Sequence, residues 1–282
     1  DARDIEQADA LDGFQDIAVL DLDHDSSTPL TVGYRPVALG YDEDGTLLFA
    51  VTQDGITIVD LAQNEPVVVK NVQLSDDPLE DTSTRDVAIT PDGGYALVRR
   101  DGVAAVAIFS LVDGSRTDVL LPAPVTDMDL SSDGSVAVAV VRDTSEVALL
   151  PIPEVVDDPA QAVLFSVGGS TIGSVALAEE SSLGFLYTNA VPSSVLTVFD
   201  SAAAPPDPAP ILLHAPVKAV FPTPSGDHVL VLHDASSGNY AAAVSIVPVV
   251  NQLPSKIVGL EQHLVSVAIS PAGDRVLLAT GL

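Results

Sequence analysis

The chain has 282 residues, of which 40 are Asp or Glu and 11 are Lys or Arg, giving a formal net charge of -29, and it has no cysteine. An acidic surface of this kind repels nucleic acid and anionic lipid headgroups, so neither is expected as a partner, and without cysteine there is no disulfide framework or thiolate metal site. Hydrophobic residues make up 47% of the chain, but the longest apolar stretches, Val136 to Val141 and Ala241 to Val250, are strand-sized. Both fall far short of the roughly 18 to 20 residues that span a bilayer, so membrane insertion is not expected.

Residues 1–16, with Asp1, Asp4, Glu6, Asp9, Asp12 and Asp16, read as an acidic linker, and residues 17–282 as a single domain. The start at Asp1, without a methionine or signal peptide, leads us to expect an exported, extracytoplasmic protein (periplasmic, cell-surface or secreted), for instance a lipoprotein whose lipid anchor is missing here. Ile17 to Leu22 and Pro29 to Tyr34 read as two strands. The first full module runs from Val37 to Leu74, with later strands at Ile56 to Leu61 and Pro66 to Leu74.

The second module shows the grammar best: strand a at Asp86 to Thr90, b at Tyr95 to Arg99, c at Ala104 to Leu111 and d at Thr117 to Leu121. The turns between them are Pro91-Asp92-Gly93, Asp101-Gly102 and Asp113-Gly114. Asp-Gly pairs are hairpin signals because glycine adopts positive φ without steric cost. The third module starts at Thr126, has strand c at Val147 to Ile152 and reaches its outer strand near Val163, after the insert Pro153 to Pro159. The fourth opens at Ser174, with strand c at Val195 to Phe199 and an outer strand at Ile211 to His214, after the Ala-Pro stretch 202–210. The fifth runs from Val217 to about Leu260, and Leu264 to Ser270 and Arg275 to Thr280 close the chain. Stretches of helical period are absent, so helix should be nearly nil.

Aligning the turn residue of each copy gives Gly45, Gly93, Gly134, Ser181, Gly226 and Gly273, which lie 48, 41, 47, 45 and 47 residues apart. That is the length of one four-stranded blade of a β-propeller. The expected fold is all-β: a six-bladed propeller of four-stranded antiparallel blades. Its seam blade takes strands c and d from the N-terminal hairpin and strands a and b from the C-terminal one, which would leave no open sheet edge. The alternative is a truncated seven-bladed propeller continuing past Leu282.

The repeated phrase, seen as Val87-Ala88-Ile89-Thr90-Pro91-Asp92-Gly93 and Val267-Ala268-Ile269-Ser270-Pro271-Ala272-Gly273 and followed by apolar strands ending in Asp60 or Asp200, resembles the YVTN-type and lactonase-like propellers. The resemblance covers residues 17–282. It implies the propeller fold, with a shape like that of WD-repeat proteins, although the chain has no Trp. Such families contain lactone hydrolases, surface-layer and adhesion proteins, and extracytoplasmic proteins without known activity.

Fold alone does not fix function, so chemistry must be sought in particular residues. In a propeller the d-to-a and b-to-c connections open on one face around the channel. That rule puts Arg35, Arg85, Arg99, Arg100, Arg142 and Lys218 on the channel face, and Asp42, Glu43, Asp44, Asp92, Asp133, Glu179, Glu180, Asp227 and Asp274 on the other. Arginine offers a planar fork for carboxylates, so the candidate ligand-binding residues are Arg35, Arg85, Asp86, Arg100, Asp127, Arg142, Lys218, His233 and His263. The competing reading pairs these cations with adjacent acids, Arg85 with Asp86, Arg100 with Asp101 and Arg142 with Asp143.

No catalytic residue is assigned, because the nucleophile elbow and P-loop patterns are absent. No cofactor is expected. Asp21, Asp23 and Asp25 have the spacing of a calcium loop, but Ser26 stands where glycine should turn it and Val32 where a bidentate Glu should close it. The five histidines show no zinc spacing. With 4% aromatics, stacking sites for sugars are poor. The expected function is a noncatalytic interaction module binding a protein or small anionic ligand through its channel face. The alternatives are a lactonase-like hydrolase using Asp86, Asp127 and a divalent ion, or a structural subunit of a surface layer or fibre.

Overall fold

A computed structural model describes residues 15–63, 65–75, 77, 80–169, 171–233, 240–250 and 253–281. The expected acidic linker falls mainly on residues 1–14 and so lies outside the described residues. Twenty-four strands account for nearly all regular structure. Five sheets are four-stranded and antiparallel, each with its strands in simple sequence order. They are β3–β6 (Ala38–Tyr41, Leu47–Val51, Gly55–Asp60, Val67–Gln73), β7–β10 (Arg85–Ile89, Tyr95–Arg100, Ala105–Ser110, Arg116–Leu120) and β11–β14 (Asp127–Leu130, Val136–Val141, Glu146–Pro151, Val163–Ser166). The other two are β15–β18 (Ser174–Leu177, Leu183–Tyr187, Val195–Asp200, Ala209–Leu212) and β19–β22 (Val217–Pro222, His228–His233, Ala242–Pro248, Lys256–Leu260). Two hairpins, β1–β2 (Asp16–Asp21, Ser26–Thr31) and β23–β24 (His263–Ile269, Val276–Gly281), are each a two-stranded sheet. The sequence assigns both to one seam blade; the hairpins form as expected, each as a sheet of its own. Five four-stranded antiparallel sheets and two hairpins thus make up a propeller-like, all-β fold.

Most strand bounds agree with the sequence to within a residue or two. Two outer strands lie earlier than expected, β2 at Ser26–Thr31 and β18 at Ala209–Leu212, and each contains a proline, Pro29 and Pro210. Proline is tolerated there since each is the last strand of its sheet, where a missing N–H costs no ladder bond. The insert 153–159 folds into a short helix α1 (Glu154–Asp157), with Val155 buried, and leads into a 3-10 turn at Pro159–Gln161.

The chain divides into two compact units: Asp1–Arg100 with Ala107–Asp118, and Asp101–Val106 with Val119–Leu282. In the first unit, Phe49, Ile56, Ile58 and Val72 of one sheet pack against Ala96, Val98, Ala107 and Phe109 of the next. The hairpin β1–β2 places Ile17 and Leu30 against Leu48, Ala50 and Val59. The second unit repeats this plan. Val138, Val140 and Phe165 meet Val175, Leu186 and Phe199, Phe185 and Leu196 meet Val229 and Val231, and Leu230 and Val244 meet Val267 and Leu278 of the last hairpin.

On the a-to-b side, five of the six aligned turn residues are glycines with φ between +66° and +73°, and each donates its N–H to the carbonyl three residues earlier. Ser181, the exception, is not among the residues of positive φ. Successive turns are bonded to one another: Glu43 N–H donates to Pro91 O (2.8 Å) in the first unit and Glu180 N–H to Pro224 O (2.7 Å) in the second. Gly93 also carries the Phe49 ring, since a Cβ there would lie 2.7 Å from Phe49 Cζ at a φ of +69°. Gly93→Ala should therefore destabilise the protein by about 2 kcal/mol through left-handed strain and a displaced ring, as a lowered urea midpoint at unchanged slope will show.

Candidate functional site

In the first unit, Arg85 on β7 and Arg100 on β8 are directly opposite each other in the antiparallel register, as are Asp86 and Arg99. Like charges facing each other across two strands destabilise a sheet unless something neutralises them. Glu80 does so: its carboxylate accepts from Arg85 Nη1 at 2.8 Å and from Arg100 Nε at 2.5 Å. The same guanidinium groups donate to the Thr52 carbonyl and, at 2.7 Å, to the Leu74 carbonyl of the preceding sheet. Burial pushes the Glu80 carboxyl up, but the hydrogen bonds from Arg100 and Arg85 outweigh it and hold Glu80 below the ordinary glutamate value. Asp86 pairs with Arg99 instead. The expected pairings of Arg85 with Asp86 and Arg100 with Asp101 are replaced by Arg85–Glu80–Arg100, because neighbours along a strand point to opposite faces.

In the second unit, Asp127 and Asp129 stand two residues apart on β11 and so share a face. Asp127 Oδ2 accepts from Val175 N–H at 2.9 Å and Asp129 Oδ2 from Leu177 N–H at 2.8 Å. Val175 and Leu177 lie on β15, the first strand of its sheet, whose outward N–H groups would otherwise lack a ladder partner. Burial raises the Asp129 carboxyl above its ordinary value despite these bonds. Nearby, burial and then the charge of Asp127 push the Tyr187 phenol up.

Arg142 opens a 3-10 turn, Arg142–Thr144, closed by Ser145 in the left-handed region (φ 54°). Its guanidinium lies on the backbone of Gly173, where a Cβ would come within 2.6 Å of Nη2 and 3.0 Å of Nε. Arg142 Nε is buried without a hydrogen-bond partner, and no ion pair joins Arg142 to Asp143 or another acid among the described residues. Arg142 and Asp127 thus both meet one segment, 173–175.

The remaining candidates are scattered. Arg35 (φ 52°) donates to Gln53 Oε1 at 3.4 Å and lies 5.6 Å from the Tyr34 ring centroid. Lys218 is exposed and lines a cleft of about 380 Å³ with Asn189, Pro192 and Pro216. His263 is exposed at the start of β23. His233 does not face open solvent: it is 1% exposed, with Nδ1 3.1 Å from Pro216 O and Nε2 2.6 Å from Ser245 Oγ. Asp21 accepts from the N–H groups of Asp23 (2.9 Å) and His24 (3.1 Å) and so caps the β1–β2 turn. No group of three or more His, Cys, Asp or Glu that could hold a metal occurs among the described residues.

The architecture is similar to that of three solved structures, all at low identity. U3-55K matches at 10% identity and a TM-score of 0.53, with 78% of this chain covered. Hydrazine synthase from Kuenenia stuttgartiensis matches at 15% and 0.52, covering 95% of this chain and 90% of that one. A functionally unknown protein from Desulfotomaculum acetoxidans matches at 14% and 0.54, covering 93% and 80%. The chain spans 63% of the length of U3-55K. These likenesses agree with a propeller-like fold and extend to fold alone. No family model matches the chain, and no curated protein does.

Glu80, Asp129, Gly173 and Tyr187 were not legible as site residues. The Asp127-Met128-Asp129 alternation could have flagged Asp129, because a strand places residues i and i+2 on one face. Glu80 lies in a connection, where no periodicity constrains it.

Two outcomes follow for stability. Glu80→Gln leaves two arginines facing each other without a counter-charge and should cost about 3 kcal/mol near neutral pH; in urea titrations the gap to wild type should narrow as pH falls below the ordinary glutamate range. His233 is buried neutral, and desolvation lowers its pKa from 6.5. Its contribution is therefore present above 6.5 and lost as pH falls through the lowered value. Unfolding midpoints between pH 7.5 and 5 should fall more steeply for wild type than for His233→Gln.

Proposed function

We propose that the protein is a noncatalytic, extracytoplasmic propeller of the YVTN type that binds an anionic group, a small carboxylate or an acidic protein segment, on the second unit's face of b-to-c and d-to-a connections. The observation that carries this reading is Arg142, whose Nε is buried and unpartnered. Its guanidinium carries a full charge that no acid among the described residues neutralises, which favours an arriving oxyanion, and guanidinium is suited to bidentate carboxylate contact. Gly173, which has no side chain, lets the guanidinium lie flat on the backbone. Lys218, exposed near the start of β19 and with no acidic partner among the described residues, adds a second cation in the same unit.

The test is calorimetric titration with citrate and with short oligoglutamate, at about 0.15 M salt, where screening shortens the reach of the body's negative charge to about 8 Å. Wild type should bind at least one of the two, and Arg142→Gln should weaken that binding about tenfold or more while retaining its fold by circular dichroism. Absence of heat with both probes, or equal affinity in the variant, would remove the proposal.

A further inference from the structure

The first unit holds a cavity of about 650 Å³, within the range of small-ligand sites, bounded by the end of β2 and the adjoining ends of β5 and β6. Its polar wall comes from Thr31, Tyr34, Asp54, Thr57, Asn71 and Gln73, and no lysine, arginine or histidine lines it. Two of these groups are held in fixed orientations. Thr57 Oγ1 accepts from Gly33 N–H at 2.9 Å and donates to Asn71 Oδ1 at 2.6 Å. That bond consumes the amide oxygen and leaves the Asn71 Nδ2 donors without a partner among the described residues. Asp54 Oδ1 accepts from Tyr34 N–H at 3.2 Å and from Thr52 Oγ1 at 2.7 Å, which leaves Oδ2 as an open acceptor.

A fixed donor and a fixed acceptor in one cavity match a hydroxyl, which both donates and accepts. An anion would meet the Asp54 carboxylate with no cation to receive it, on a chain of net charge -29. An apolar ligand would strand the polar wall without hydrogen bonds. We infer that this cavity binds a neutral, hydroxyl-rich ligand of the saccharide class, recognised through hydrogen bonds rather than aromatic stacking. The site lies wholly in the first unit and does not depend on the anion reading above.

The experiment is saturation-transfer NMR on the full chain with the methyl glycosides of glucose, mannose and galactose, and with ethylamine as a cationic probe. At least one glycoside should receive saturation, and its affinity should fall about tenfold in Asn71→Leu and in Asp54→Asn, the latter keeping the Oδ1 acceptor. Circular dichroism checks that both variants are folded. Transfer to no glycoside, transfer to ethylamine alone, or undiminished glycoside binding in two folded variants would overturn the inference.

Discussion

A blade whose two middle strands are apolar on both faces can be buried only by sheets on both of its sides, and this constraint orders the rest of the molecule. Strands β12, β13 and β20 are buried almost without interruption, as no half-solvated sheet would be. The core is accordingly a series of layers between consecutive sheets, such as Phe49 with Phe109 in the first unit and Phe185 with Val231 in the second. Each large side chain moved out of water contributes roughly 1.5–3 kcal/mol, so every layer depends on the sheet that covers it. The hairpins β1–β2 and β23–β24 alternate instead, with one face covered and the other bearing exposed residues such as Leu20, Val265 and Leu277. Because the middle strands are committed to packing, chemistry is left to strand ends and connections.

Charge is distributed by the same economy. Many acids cap the turns that the repeat generates. Asp42 accepts from Thr46 and Leu47 N–H groups, Asp92 from Gly94 and Asp133 from Ser135. The N–H and hydroxyl of Ser115 hold Asp113 at a pKa of about 2. Much of the negative charge therefore performs local work, since Asp side chains close turns by bonding to the backbone two residues on. The scarce cations lock sheet to sheet: Lys70 Nζ donates to the carbonyls of Leu111 and Val112 in the next sheet, and Arg85 and Arg100 reach back to the one before.

The repeat was legible because its signals are local. A glycine at positive φ and an alternating or continuous apolar run are each written within a few residues, so strands such as β8 and β19 lie where the sequence puts them. The pairing of side chains was not, because it depends on register and on which face a residue occupies. Arg85 and Asp86 are adjacent in sequence and opposite in direction, whereas Arg85 and Arg100 are fifteen residues apart and face each other. His233 misled for a related reason. It ends a strand and borders a connection, yet β20 is buried on both faces, so its imidazole lies in the interior.

Comparison across copies separates what the fold requires from what it does not. Seven residues beyond the aligned turn stand Thr52, Arg100, Val141, Thr188 and His233, and one further on stand Gln53, Asp101, Arg142 and Asn189. At the first position Thr52, Thr188 and His233 are buried polar groups bonded to nearby residues, the first two at the exit from the middle strand and His233 to Pro216 in the preceding connection. At the second, Asn189 Nδ2 donates to Lys218 O at the start of the next sheet, and Arg142 reaches the matching place, the Gly173 backbone. A neutral amide accomplishes that bridging in one copy. The guanidinium adds a full charge, a buried unpartnered Nε and a left-handed serine at the end of its turn. Packing alone would favour the amide, and it is this excess of charge at Arg142, unmatched by any acid among the described residues, that the anion-binding proposal rests on.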